Sequence, residues 1–215
     1  ARSLDLSVHD VLLGECEAQE VIRSTDWEGL DLLPSTPSVA GGAVALNQMP
    51  PMQRARSLRR AILDRLAHYD YVFIDSPPSL GVLTVNALVA AHAVIIPVQC
   101  EYLALEGLTQ LMHTISLVRR GLNKDLSLRG LVLTMADART TLSKQVIEEV
   151  RRHYPNQVFD TVIPRSVRLS EAPSYGEPGV LYAPRSSGAI AYLKLTRELL
   201  LGDGRPVAWT PKASD

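Results

Sequence analysis

Asp75 stands directly after Tyr71-Val72-Phe73-Ile74. Four apolar, β-prone residues in a row read as a strand buried on both faces, as in a parallel sheet. An acid at the carboxyl end of such a strand lies where open α/β sheets bind their ligands. Apolar strand, then Asp, is also the pattern of a Walker B segment, whose carboxylate helps hold Mg²⁺ at a bound nucleotide. The plainer reading is a buried strand ending in a turn, with the Asp making local hydrogen bonds. Pro77 and Pro78 fix φ and withdraw two N–H donors, so a stiff non-helical turn follows. Ser79 is placed to cap a helix that starts near Leu80.

Two further clusters fall at or just after predicted strand ends: Thr134-Met135-Ala136-Asp137 and Pro164-Arg165-Ser166. The histidines, at 9, 68, 92, 113 and 153, have no carboxylate or cysteine at ligand spacing. Cys16 and Cys100 have no metal-site spacing and read as free thiols of a reducing compartment. No Gly-x-x-x-x-Gly-Lys occurs, and Gly41-Gly42 is followed by Ala-Val-Ala-Leu, which offers phosphate neither Lys nor Thr.

The elements that must carry these residues alternate. A short helix within Leu4–Leu13 ends at Gly14. Val21-Ile22 and Leu30–Leu33 read as strands around a turn at Asp26–Gly29. Ser35–Gly42 reads as a loop, and Ala43–Leu46 as helical ahead of Pro50-Pro51. Arg54–Leu66 is a predicted helix with an apolar face of Leu58, Ile62, Leu63 and Leu66; its arginines read as a solvated face. After the strand at Tyr71–Asp75 come a helix over Leu80–Ala91, a strand at Ala93–Pro97 and a long helix over Leu103–Arg120 closed by Gly121. A strand at Leu128–Thr134, a helix over Leu142–Tyr154, a short strand at Val158–Ile163 and a helix within Ser186–Leu201 complete the series. This alternation predicts an α/β fold, a mostly parallel sheet with helices on both faces. One domain is expected over residues 1–201, followed by a tail at 202–215.

The composition is that of a globular chain: 215 residues, 46% apolar, 21% charged and 5% aromatic, so aliphatic packing dominates the core. A formal charge of −1 supplies no global field toward DNA or an anionic membrane, so nucleic-acid binding would need a local patch.

Tyr69-Asp-Tyr-Val-Phe-Ile-Asp-Ser-Pro-Pro-Ser-Leu-Gly81 resembles the Walker B and switch II segment of the ParA/Soj chromosome- and plasmid-partition ATPases, relatives of MinD. The likeness continues in order through Pro97–Leu108, Leu133–Thr140, Ile163–Ser174 and Ala183–Ala189. It implies a P-loop NTPase-like fold using ATP and Mg²⁺, with Asp75 acting on the metal through a bound water beside Pro77. By the same likeness Met135 lies near the adenine, where an unbranched thioether can pack a flat base; a core Met at a strand end explains it equally. Pro164, Arg165 and Ser166 match a base-contacting Pro-Arg-Asn, with Ser in place of Asn and so without the amide's paired donor and acceptor.

The family also implies an ATP-bound homodimer that binds DNA non-specifically and releases it after hydrolysis. Arg165, Arg168 and Arg185 are the DNA-contact candidates, against a reading as solvated surface or local pairs. A ParB-type centromere-binding partner and a cytoplasmic, nucleoid-associated location follow from the resemblance. The family's Lys-Gly-Gly-x-Gly-Lys-Thr-Thr and its switch I segment are not in the sequence. The chain therefore reads as an ATPase truncated at its N-terminus, inactive in this form, with no catalytic residue of its own and with unpaired strand edges. Two rival readings are a MinD-like membrane-surface ATPase and a scaffold naturally lacking a P-loop. Gly202, Gly204 and Pro206 would break the basic amphipathic tail that the first requires.

Overall fold

The computed structural model describes residues 6–36, 39–62, 65–102 and 104–207. The chain divides into two compact units: one up to Ala93 together with Leu111–Ser127, the other Val94–Gln110 together with the residues from Leu128 onward.

In the first unit, α1 (Val8–Leu13) begins at a capping box. Ser7 Oγ accepts from the His9 N–H at 3.2 Å, and Asp10 accepts from the Ser7 N–H at 2.8 Å. Gly14 ends the helix at φ 77, a left-handed turn that glycine takes without strain. Residues 1–5, including the expected helical Leu4, lie outside the described residues. A second capping box, between Glu17 and Glu20, opens α2 (Ala18–Val21), so the strand expected at Val21-Ile22 is displaced. It forms two residues later as β1 (Arg23–Ser24), paired antiparallel with β2 (Asp31–Leu32). The loop expected up to Gly42 is shorter, because α3 runs Val39–Gln48.

The helix expected over Arg54–Leu66 is broken into α4 (Pro51–Ala55) and α5 (Ser57–Ile62). Asn86, 1% exposed on α6 (Val82–Ala90), mends the break. Its amide nitrogen donates to the Arg54 carbonyl at 2.7 Å and its oxygen accepts from the Leu58 N–H at 3.1 Å. Two groups that a continuous helix would have paired are thus satisfied from outside. Asn123 does similar work at the other end of α6, with its amide nitrogen 2.7 Å from the Ala91 carbonyl and 3.0 Å from that of Leu88. Leu12, Leu46, Leu58 and Ala90 form the core of this unit.

The buried strand expected at Tyr71–Asp75 is absent. Residues 71–77 have no regular secondary structure, and Tyr71, Val72 and Phe73 are 37%, 48% and 76% exposed. Only Ile74 packs against the core. A strand exists through its ladder partners, and among the described residues no strand pairs with this run. Ser79 does not cap α6 with its side chain: the N-cap is Gly81, and the Ser79 carbonyl accepts from the Thr84 hydroxyl.

The second unit holds the parallel pairing. β3 (Ala93–Gln99) leads into α7 (Ala104–Gly121), which crosses back to β4 (Ser127–Thr134). The Ser127 N–H meets the His92 carbonyl at 2.9 Å and the Cys100 N–H meets that of Thr134 at 2.9 Å, so the two strands run the same way. On its other edge Leu131 of β4 takes a parallel bridge to Val158, and Ala136, two residues past the strand, takes one to Pro164, both reached through α8 (Thr141–His153). The strand expected over Val158–Ile163 is interrupted there. The Asp160 and Thr161 N–H groups leave the ladder and donate to the Glu198 carboxylate at 2.6 and 3.0 Å. Then follow α9 (Val167–Glu171), a 3₁₀ turn (Ala172–Tyr175), α10 (Gly179–Tyr182) and α11 (Ser187–Gly202), which Ser186 caps. Val132, Phe159, Ile163 and Ala191 make this core. Gly121 is the last residue of α7 rather than a left-handed cap beyond it. Among the described residues no helix is long and apolar enough to cross a membrane.

Candidate functional site

Parallel strands end on one edge, and three loops of the second unit leave that edge together. Cys100-Glu101 follow β3, Met135–Asp137 follow β4, and Arg165-Ser166 follow the bridge at Pro164. The Ala136 N–H donates to the Ile163 carbonyl at 3.1 Å, and the Arg165 N–H donates to the Ala136 carbonyl at 3.0 Å. Backbone bonds therefore bring Met135, Pro164, Arg165 and Ser166 to one place, as their positions at strand ends suggest.

Met135 adopts φ 55. A non-glycine residue in the left-handed region is held there by its surroundings, and such outliers gather at functional sites. Here the surroundings are the end of β4 on one side and the Ala136 bridge to Pro164 on the other. The Met135 side chain is half-buried.

The charges on this edge are paired. Asp137 accepts two hydrogen bonds from Arg139, at 2.9 Å from Nε and 2.7 Å from Nη2. These bonds hold its carboxyl well below the usual carboxylate range, with the Arg165 charge acting in the same direction. Arg165 Nη2 lies 2.8 Å from Glu101 Oε1 across 64 residues of sequence. Below them the Cys100 thiol is buried, which pushes its pKa up. Ser143 Oγ accepts from the Asp137 N–H at 3.1 Å and ties the loop after β4 to α8.

Ser166 is the N-cap residue of α9, but its side chain makes no capping bond. It packs against the start of α11, where a Cβ on Gly188 would stand 2.9 Å from Ser166 Cβ and 2.5 Å from Leu169 Cδ1. Arg168 Nη1 meets Glu171 Oε2 at 3.0 Å, one helical turn away, and Tyr182 donates to the same oxygen at 3.4 Å. Arg185 is exposed just before the α11 cap, and no ion pair joins it to another of the described residues.

Asp75 and Pro77 belong to the first unit, and both are exposed. Mg²⁺ keeps several waters and takes one or two carboxylates alongside substrate phosphates, so a single exposed carboxylate suits the metal. Among the described residues no three His, Cys, Asp or Glu side chains form a group that could hold a metal by themselves. The sequence has no Gly-x-x-x-x-Gly-Lys for phosphates. The residues present therefore fit the Mg²⁺ half of a nucleotide site and do not fit the phosphate half.

Nothing in residue type distinguishes Arg139, Ser143 and Glu171. Glu101 flanks a family-like motif just past a predicted strand end, where helix start and packing explain it as well as a dimer contact would. Ser143 had no signal, because its role depends on how α8 docks.

Residues 1–128 match a family model described as an AAA domain. The chain is 51% identical over 192 residues to sporulation initiation inhibitor protein Soj of Bacillus subtilis, covering 89% of this chain and 75% of Soj. It is 47% identical over 207 residues to chromosome partitioning protein ParA of Myxococcus xanthus, covering 96% of this chain and 70% of that protein. Among solved structures it resembles cobyrinic acid a,c-diamide synthase of Mycobacterium smegmatis with bound ATP analog and magnesium. That likeness has a TM-score of 0.76 at 40% identity, and covers 94% of this chain and 75% of the other. The fold is P-loop NTPase-like α/β, and with half of the aligned residues shared with Soj the chain belongs to the ParA/Soj family of chromosome-partitioning proteins.

Proposed function

We propose that the chain belongs to a DNA-partition ATPase whose ATP-bound homodimer holds DNA non-specifically and releases it after hydrolysis. The observation that carries this reading is the shared strand edge, where Met135, Pro164 and Arg165 are tied together by backbone bonds. Base recognition is assigned to this edge. The half-buried Met135 thioether gives one apolar surface for a flat ring. Ser166 offers a hydroxyl that can donate or accept beside it.

Asp75 would hold Mg²⁺ through a bound water with its carboxylate, and Pro77 keeps the following turn stiff. ATP with Mg²⁺, when bound, supplies the phosphoryl group and the charge neutralisation on which its transfer depends. Arg165, Arg168 and Arg185 contact DNA phosphates, which needs placed positive charge and no base readout. A ParB-type centromere-binding protein is the expected partner, and the nucleoid within the cytoplasm the expected location.

Mg²⁺-ATP turnover and binding to a non-specific duplex test the reading, on the 215-residue chain and on a chimera that carries the family's Lys-Gly-Gly-x-Gly-Lys-Thr-Thr segment ahead of it. The chimera is expected to turn over ATP and to bind DNA only with ATP, while the 215-residue chain does neither. A chimera that binds ATP but never DNA would remove the partition reading. Tight ATP binding by the 215-residue chain would mean that another anion site carries the phosphates.

A further inference from the structure

The three arginines assigned to DNA differ in their present partners. Arg185 has none among the described residues, whereas Arg165 is held by Glu101 at 2.8 Å and Arg168 by Glu171 at 3.0 Å. The Arg168 pair joins neighbouring turns of one short helix, an arrangement common on helix surfaces. The Arg165 pair has no such local origin, since its members are 64 residues apart. Both backbones are anchored. The Glu101 N–H donates to the Gln99 carbonyl at 2.8 Å, and the Arg165 N–H donates to that of Ala136 at 3.0 Å. The folded edge therefore presents this carboxylate to this guanidinium.

Both side chains of the Glu101–Arg165 pair are 53% exposed. Exposed pairs are weak and exchange readily with other ions. A DNA phosphate can take the guanidinium, but only by expelling the carboxylate, which then sits close to the anionic backbone. Arg168 faces the same exchange, with Tyr182 helping to hold Glu171 in place.

We propose that Glu101 and Glu171 are built-in competitors for DNA phosphate, which keep Arg165 and Arg168 neutralised until DNA displaces them. This rests on the DNA-binding reading of those two arginines. It makes the affinity of the surface a difference between phosphate and carboxylate, which suits a protein that must let go of DNA as well as hold it. It also lowers the salt dependence. A guanidinium that trades one anion for another contributes less net counterion release than a free one.

The test uses the intact protein with Mg²⁺-ATP and a non-specific duplex, with anisotropy read over a salt series. Glu101→Gln and Glu171→Gln keep side-chain size and remove the competing charge. Glu177→Gln is the control: an exposed acid in the same unit with no arginine partner among the described residues. Each of the first two is expected to tighten binding by about threefold or more and to steepen log K against log salt by up to about 0.9. The control should do neither. Equal tightening in all three would reduce the effect to net charge and overturn the proposal. Unchanged affinity in Glu101→Gln and Glu171→Gln would also overturn it; if Arg165→Ala and Arg168→Ala still weaken binding, the DNA reading survives that failure. If those arginine variants bind as wild type does, the DNA reading and the proposal fall together.

Discussion

Asn86 Oδ1 accepts from the Leu58 backbone N–H at 3.1 Å inside the first unit, 28 residues away along the chain. The same side chain donates to Arg54 and Val82, so one amide joins α4, α5 and α6 where an uninterrupted helix was expected. Asn86→Leu has similar volume but strands the Leu58 N–H and the Arg54 carbonyl. Each unpaired buried group costs about 1–3 kcal/mol, so the variant should lose about 2–4 kcal/mol in urea denaturation. A loss below about 0.5 kcal/mol would show that water reaches the break.

Gly188→Ala places a methyl group 2.5 Å from Leu169 Cδ1 and 2.9 Å from Ser166 Cβ. Overpacking of this kind costs about 1–3 kcal/mol. Because Ser166 is one of the clashing groups, the variant should also disturb the loop that carries Arg165. The check is a denaturant midpoint together with the amide shifts of residues 165 and 166.

Glu198→Gln tests what interrupts the third parallel segment. Its carboxylate accepts from both the Asp160 and Thr161 N–H groups. The amide keeps one acceptor oxygen and replaces the other with a donor. The expected loss is about 1–2 kcal/mol, one charged hydrogen bond's worth, with faster hydrogen exchange at Asp160 and Thr161.

Asp137 should titrate below the ordinary aspartate value of 3.8 because Arg139 donates to it twice. A carboxyl whose pKa is depressed by folding contributes stability that is fully present above its unfolded pKa. That contribution is lost as pH falls through the folded value. The Asp137–Arg139 pair should therefore be intact at neutral pH and weaken only in strong acid. Arg139→Ala should bring the Asp137 carboxyl resonance back toward an ordinary titration midpoint.

Asp75→Asn, in a chimera that carries the family's P-loop segment ahead of the chain, should reduce Mg²⁺-ATP turnover. A carboxylate acting through a metal-bound water is an outer-shell group, and losing such a group typically costs about 10–100-fold. An Asp75→Asn variant as active as its parent would remove Asp75 from the site.

The second unit was the more legible part. β3, β4, α8 and α11, and α7, whose residues the two units share, all fall within two residues of their expected bounds, because each carries a long apolar period with a recognisable stop. Strand ends then placed Met135 and Arg165 on one edge, since parallel strands leave no choice about where their carboxyl ends point. The failures lie where the outcome depends on something outside the window being read. Tyr71–Ile74 has every residue preference of a buried strand, yet it lacks a ladder partner among the described residues. Val21 lost its strand to a capping box that opens one turn earlier, a signal written in Glu17 and Glu20. Glu101 and Glu171 were hidden for another reason: an acid on a surface says nothing of its partner until tertiary structure brings one within reach.

The exposed run at 71–73 has a consequence for handling the protein. Tyr71 and Phe73 present two aromatic side chains to solvent from backbone outside any helix or sheet. A chymotrypsin-type enzyme selects large apolar side chains at its S1 pocket, and exposed irregular backbone is where nicking concentrates. Cleavage there would part α1–α5 from α6 and everything after it. Any partner or ligand that covers the run would leave the chain whole, so the survival of the 215-residue band under brief digestion becomes a gauge of whether those two rings are shielded.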